Sequence, residues 1–468
     1  MPEETLKQVV DRVKATIPAI GNAIVAKGGT VSAGDGLEDF AADIATIPSG
    51  GIEPAEPKDV NFYDYDGTCV YSYTADEFAE LTAMPANPTH AGLTAQGWNW
   101  SLSDAKDYVA DYGMLDIGQM YITSDGKTRI YISLVDELKS PYLKLYLNAN
   151  SELDIDWGDG STHSTFSAAT ADYIGERHVY ATGGNYVIAI TVVSGSFNLQ
   201  SSSNSISTII SNNGSNSSSR DRYYVACIQK INIGSGVSTL FASFNSCVQM
   251  KSITIPNSIT SFGYAALYGC VGLRHLALPN SVDSIGNNAL RDNYALESIS
   301  FPAGFISTGT DAIENARSLM IATLPDTMTS INGIVFNQCY ALSSINIPLN
   351  ATSVGAYAFQ NCYSLNFIKF RPTTPPTISN INAWANISSD CYILVPLNTL
   401  DDYLNETNMP DDSVYLYLCY AKYASGVALP TTSTDGYTLT WYATKDDARA
   451  GTNPITVGNG KEVYAVGV

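Results

Sequence analysis

The sequence predicts a multidomain, mainly β chain: N-terminal helices, a small α+β domain, an immunoglobulin-like β-sandwich, a long solenoid and a small C-terminal β-module. Three observations carry this reading. Apolar residues recur every 23 residues through the middle of the chain, opening rows at Met250, Leu273, Leu296, Leu319, Leu342 and Leu365. A fixed period of this length is the mark of stacked coils. On either side, short runs alternate apolar and polar residues between Gly-, Asn- and Pro-containing turns, as half-buried strands do. Composition sets the limits. The 468 residues suffice for several cores, and 45% apolar content argues against a mainly disordered chain. The 45 acidic residues outnumber 24 basic ones, and a net charge of −21 argues against a nucleic-acid or anionic-membrane partner. No apolar run approaches the ~20 residues of a membrane helix, so no membrane insertion is expected. The opening MPEETLKQVV lacks an apolar h-region, so no secretory signal peptide is expected.

Residues 1–50 read as a helical attachment and oligomerisation segment. Leu6, Val10, Val13, Ile17, Ile20 and Ile24 fall at alternating spacings of four and three. An Ile/Val-rich heptad seam points to a homotrimer. Pro18 should kink or break that helix, and two short amphipathic helices packed on a neighbour are the competing reading. A second helix is expected at 37–47, with Leu37, Phe40, Ile44 and Ile47 on one face.

Residues 58–140 read as the small α+β module. Asp64-Tyr65-Asp66-Gly67-Thr68 matches the D-x-D-G-T signature of haloacid dehalogenase-type phosphatases. There the first Asp is a nucleophile, the second a general acid, and Mg²⁺ completes the site. That chemistry needs a buried apolar strand just before the motif, and Asn61 interrupts it here. A β-hairpin turning at Asp66–Gly67 is the preferred reading, and the chain is not expected to be an enzyme.

Residues 141–200 read as the β-sandwich, with strands expected around 153–160, 178–180 and 184–192. The acidic run Asp154–Gly160 is similar to a calcium loop. An EF-hand needs Gly at position 6 and Glu at 12, and Asp159 and Thr165 stand there. A plain turn is preferred, and no metal or cofactor is assigned. Residues 201–225, rich in Ser and Asn, read as a linker with some strand near Ile206–Ile210.

Residues 226–418 read as the solenoid with its cap. Three residues after each row opener stand Ile253, Leu276, Ile299, Ala322, Ile345 and Ile368. Two further on stand Ile255, Leu278, Phe301, Leu324, Ile347 and Phe370, and Pro follows in five of these six rows. Side chains that alternate with period two face one way from a short strand, and Pro ends it. A later lane holds Phe244, Leu267, Leu290, Ile313, Phe336 and Phe359; the stretch Tyr264–Tyr268 reads as a helical turn that returns the chain. One row cannot bury its apolar face alone, whereas stacked rows bury a continuous core. The row at 303–313, with Thr308 in an apolar lane, is expected to be irregular. Cys247, Cys270, Cys339 and Cys362 share one row position, filled by Asn293 and Ala316 in the other two rows. An inward ladder of reduced thiols explains this better than a metal site. Residues 419–468 alternate around turns and read as the C-terminal β-module.

The rows, with L-x-x-I-x-I-P and the later AlaPheGlnAsnCysTyrSerLeu at 358–365, resemble the BspA-type leucine-rich repeat. CysTyrIleLeuValPro at 391–396 and LeuAspAspTyrLeu at 400–404 look like the strand and helix that close such arrays. This resemblance implies a binding solenoid. Trp157–Gly160 and His178–Tyr180 resemble the marks of a PKD-type, immunoglobulin-like domain, which implies a spacer. Residues 435–467 resemble the β-grasp-like repeats of Gram-positive surface proteins. The N-terminal stretch 23–48, and the module from ValAsnPheTyrAspTyrAspGlyThr at 60–68 through GlyTrpAsnTrp at 97–100, resemble tail proteins of bacteriophages.

The expected function is therefore that of a phage tail fibre or receptor-binding protein in the virion. Residues 1–50 would join it to other tail proteins, and the solenoid would contact a host-surface glycan or protein. The alternative is a bacterial cell-surface leucine-rich-repeat adhesin. The expected absence of a signal peptide and anchor favours the phage reading. Candidate ligand-binding residues are those displayed beside the inward lanes: Arg274, His275, Phe367 and Lys369 on the strand face, and Tyr294, Arg317, Tyr340 and Tyr363 in a column after the Cys lane. Aromatic and Arg side chains are frequent interface anchors.

Overall fold

The computed structural model describes residues 55, 57–201, 208–211, 224, 226–410, 416–423, 425–433, 437–459 and 462–467. All of them belong to the unit Ala55–Val468. The helical segment expected at 1–50, with its trimer seam, lies outside the described residues, as does most of the linker.

The α+β module opens with a hairpin, β1 (Val60–Tyr63) and β2 (Cys69–Tyr73), paired antiparallel. The turn closes as the hairpin reading requires: Asp64 N–H donates to Thr68 O at 2.9 Å, Thr68 N–H to Asp66 Oδ1 at 3.0 Å, and Gly67 takes φ +88°. Thr74 then caps α1 (Ala75–Ala79) in a reciprocal box with Glu77. After β3 (Leu93–Trp98), Ser101 caps α2 (Leu102–Tyr112), which ends on Gly113 in the left-handed region. β4 (Leu115–Thr123) lies parallel to β1 and antiparallel to β3, completing the order β2-β1-β4-β3. Phe62, Phe78, Trp98, Tyr108 and Ile117 form its core.

The sandwich begins at β5 (Thr128–Leu134), a segment that the sequence places in the preceding module. It continues through β6 (Tyr142–Leu147), β7 (Ser151–Asp156), β8 (Ser164–Ala168), β9 (Asp172–Arg177), β10 (Gly184–Ser194) and β11 (Phe197–Gln200). One sheet runs β5-β10-β7-β8; the other joins β9, β6 and β11. Trp157 and Tyr180 are fully buried, and the Tyr180 hydroxyl donates to Trp157 O at 2.9 Å. Both sheets then run on into the repeats. Ile228–Asn232 pairs antiparallel with β5, and Val237–Phe241 pairs parallel with β11. The sandwich thus caps the open end of the repeat array rather than spacing it from a neighbour. One hydrophobic core extends from Ile130 to Ala465.

The repeats build two stacks of parallel strands, each stack divided among separate sheets. One holds 252–254, 275–277, 298–300, 321–323, 344–347 and 367–370; the other holds 261–262, 284–285, 307–308, 330–331, 353–354 and 377–378. Every residue of the four apolar lanes is at most 5% exposed. The row at 303–313 is regular, contrary to expectation. Ser307 and Thr308 pair in register with Ser284 and Ile285, and Thr308 is buried where the lane points inward.

The return segments differ from the expected helical turn. Each row carries two left-handed residues four apart, at 265 and 269, 288 and 292, 311 and 315, 334 and 338, and 357 and 361. This geometry turns successive N–H groups toward the next row: Ala265, Leu267 and Gly269 donate to Asn287 O, Ala289 O and Arg291 O at 2.8–3.0 Å. The returns are therefore a third ladder of backbone hydrogen bonds, which a helix would have closed within each row. Tyr392–Pro396 and α3 (Leu400–Asn405) end the array. Leu416–Lys422 adds in parallel, then Glu462–Gly467, Leu439–Tyr442 and Pro454–Ile455 continue antiparallel, with α4 (Lys445–Ala450) alongside. All eight cysteines are buried.

Candidate functional site

The strand face of the repeats, expected to be displayed, is covered by the chain's own α+β module. β4 crosses the strands at 252–254, 275–277 and 298–300. Gly118 is pressed against Ala277; a Cβ there would lie 1.9 Å from the Ala277 Cβ. Asn99 Nδ2 donates to Leu278 O at 3.1 Å and Ser300 O at 3.2 Å, and Trp100 Nε1 donates to Phe301 O at 2.8 Å. Ser300 Oγ returns a bond to Asp116 O at 2.6 Å. Farther along, the Tyr112 hydroxyl donates to Asp326, while Arg371 bridges Asp111 at 2.7 Å and Asp326 at 2.6 Å and stacks on Tyr112.

Three of the four strand-face candidates are engaged by other parts of the fold. His275 is stacked under Tyr63, with ring centroids 4.5 Å apart, and its Nδ1 meets Ser298 Oγ at 2.8 Å. Burial pushes its pKa below the ordinary histidine value, with Glu297 opposing. Lys369 is 4% exposed, donating to Asp111 O at 3.0 Å and Glu462 Oε2 at 2.5 Å. Burial likewise lowers its pKa, against the pull of Glu462. Phe367 packs against the C-terminal cluster around Leu394 and Leu418. Arg274 remains at the surface, paired with Glu297 at 2.5 Å. Beneath the module, Asp116 accepts from Asn61 Nδ2 at 3.1 Å, and desolvation raises its pKa to about 6.

The other four candidates come together. Arg317 sits between Tyr294 and Tyr340, its guanidinium carbon 4.6 and 5.5 Å from the two ring centroids; the Tyr340 and Tyr363 rings follow at 5.3 Å. Three of the four are held by the left-handed residue two positions before them. Asn315 Oδ1 accepts from Arg317 Nε at 2.8 Å, Gln338 Oε1 from the Tyr340 hydroxyl at 3.2 Å, and Asn361 Oδ1 from the Tyr363 hydroxyl at 3.4 Å. Tyr294 and Tyr363, the ends of the stack, are 39% and 56% exposed. Between these ends the ring faces are filled by stack neighbours, so the middle of the column presents edges and a cation outward.

The motifs that suggested chemistry are engaged otherwise. The Asp64 carboxylate meets His90 Nε2 at 2.6 Å, and Asp66 caps the hairpin turn. In the acidic run, Asp154 meets His163 at 2.9 Å and Asp159 meets His178 at 2.8 Å, while His178 stacks on Trp157. Among the described residues no cluster of His, Cys, Asp and Glu is arranged to hold a metal ion.

The repeats have known relatives. Residues 216–341 and 331–389 match the BspA type leucine rich repeat region, in six copies. The chain thus contains BspA-type repeats. No curated protein matches it. Similar solved structures include a leucine-rich repeat protein from Bacteroides ovatus, at 17% identity over 37% of this chain and 69% of that one, with TM-score 0.26. A leucine rich cell surface protein from Faecalibacterium prausnitzii is 21% identical over 33% of this chain and 58% of that one, with TM-score 0.21. A leucine rich repeat protein from T. pallidum is 25% identical over 30% of this chain and 64% of that one, with TM-score 0.24. These comparisons lend no support to the tail-protein or PKD-type resemblance.

Proposed function

We propose that the protein is a bacterial cell-surface leucine-rich repeat adhesin. It acts by binding and not by catalysis, and its contact surface is the Tyr294–Arg317–Tyr340–Tyr363 column. The BspA-type repeats favour this over the virion role expected from the N-terminal resemblance. The observation that carries the choice of surface is the occupation of the strand face by the module, which leaves the column as the exposed, in-register aromatic patch. Its partner is a protein. Sugar rings bind by lying on open aromatic faces, whereas between its two end rings this stack offers edges, hydroxyls and one guanidinium, which suit a flat protein surface.

Binding of the full chain to arrays of extracellular proteins and of glycans tests this, alongside an Arg317→Ala/Tyr340→Ala variant. Protein binding that the variant loses is the expected result. Binding to glycans alone, or binding indifferent to the variant, overturns the assignment. Immunolabelling of the producing cells tests the location, and recovery of the chain in purified virions would overturn the surface placement.

A further inference from the structure

A second surface feature lies on the strand side of the array, where three parts of the fold meet. α1 and α2 of the module, the strand at 367–370 and the C-terminal strands enclose a cleft of about 450 Å³. Junctions of this kind are where small-molecule sites commonly form. Its walls are apolar on the module side, from Phe78, Ala79, Val109 and Ala110, and Tyr464 stands opposite. Three lysines reach it, at 106, 369 and 422, in a chain whose net charge is −21.

The charges around the cleft are not equivalent. Of its acidic groups, Asp111 is held by Arg371 and Glu462 by Lys369. Asp76 stands in the first turn of α1. Lys106 donates to the backbone oxygen of Ala79 at 2.7 Å, and Lys422 is exposed. Neither of these two lysines pairs with a carboxylate among the described residues. Two cations without acidic partners thus border an apolar wall, over a floor whose own ion pair is satisfied.

We propose that this cleft binds a small amphipathic carboxylate, its anionic head at Lys106 and Lys422 and its apolar body on Ala79 and Ala110, opposite Tyr464. The head could be the C-terminus of a peptide or the acid group of a free aliphatic acid; the recognition chemistry is the same. The site is independent of the aromatic column.

Calorimetric titration of the full chain tests it with N-acetyl-phenylalanine as a peptide-terminus probe, octanoate as a free-acid probe and N-acetyl-phenylalaninamide as the neutral control. At least one acid should bind at a single site, and the amide should bind roughly tenfold more weakly or worse, as loss of one charge-assisted contact gives. Lys422→Gln, on an exposed side chain, should weaken the acid by a similar factor. Ala110→Phe should block the cleft by filling it. The Arg317→Ala/Tyr340→Ala variant should leave acid binding unchanged, so failure here and failure of the adhesin reading are separable. Equal binding of acid and amide, an unaffected Lys422→Gln variant, or no binding of either acid at millimolar concentration would overturn the proposal.

Discussion

Asn293 is the residue whose replacement should strengthen the fold. It occupies the Cys position of its row and is fully buried, and neither side-chain Oδ1 nor Nδ2 finds a hydrogen-bond partner. Its backbone is that of the other rows. Leu296 N–H donates to Asn293 O at 3.0 Å, as Leu273 does to Cys270 O at 3.1 Å and Leu365 to Cys362 O at 2.9 Å. In those rows the thiol also has a partner: Cys270 Sγ donates to Phe244 O at 3.0 Å and Cys362 Sγ to Phe336 O at 3.1 Å, each 26 residues back. A cysteine at 293 would find Leu267 O in the equivalent place. A buried amide without partners costs about 1–3 kcal/mol, and Asn293→Cys recovers that cost without opening a void. Asn293→Ala removes the polar atoms but loses packing, so it should gain less. With a urea m-value on the order of 3 kcal/mol/M, the Cys variant should move the unfolding midpoint up by roughly 0.3–1 M under reducing conditions. A midpoint that falls for both variants would refute the reasoning, because it would mean that the amide contributes bonds to the native state.

Docking of the module rests on close approach at Gly118, so Gly118→Ala should loosen the module and speed limited proteolysis between residues 55 and 123, and Ala277→Gly in the same chain should restore protection; no rescue would mean that the contact is not the cause. Asp116 gives a pH dependence. Its folded pKa of about 6 exceeds the roughly 4 of a free Asp, so the folded state holds the proton more tightly and stability at this site is lost as pH rises from about 4 through 6. The cost at neutral pH is about 3 kcal/mol at most. Asp116→Asn, which keeps the acceptor for Asn61, should therefore stabilise the protein at pH 7 and lose that advantage towards pH 4, and an advantage independent of pH would contradict it. The cysteines of the ladder should resist alkylation in the native state, since burial raises the thiol pKa of Cys339 to about 12 and pushes that of Cys362 well above the ordinary thiol value; rapid labelling at 247, 270, 339 and 362 would contradict the inward placement.

Much of the solenoid is legible in the sequence because its information is local and repeated. A period of 23 fixes which residues share a lane, and alternation within each strand fixes which way they point. The same logic exposes the aromatic column, since a surface residue that recurs in register must stack on its copies. The return segments are harder, because their apolar residues alone suggest a helical turn. The informative signal is the polar series Asp292, Asn315 and Asn361 with Gly269, all types that tolerate the left-handed region, at the spacing of the repeat. Thr308 misleads for the opposite reason: one hydroxyl can enter an apolar lane when pairing with the strand of the preceding row holds the backbone in register.

The cover over the strand face has no such signature. Asn99, Trp100 and Gly118 meet their partners across about 160–200 residues of sequence, and each contact is made once. A single contact leaves no period to detect, and a glycine chosen for close approach reads in isolation as a weak point in a strand. The consequence for function follows from the same fact. A strand face lined by Ser252, Thr254, Ser298 and Ser300 offers hydroxyls but little apolar area, and here those hydroxyls lie buried beneath β4 and its neighbours. Removing the module would uncover polar groups that the fold has already paired, and cutting before Ile228 would strip the first repeat strand of its partner β5. The repeats are therefore not a detachable binding cassette. Their outward chemistry has to be judged on the intact unit, by point substitution on the turn side, where Arg317 and its flanking tyrosines are held by their neighbours and not by the module.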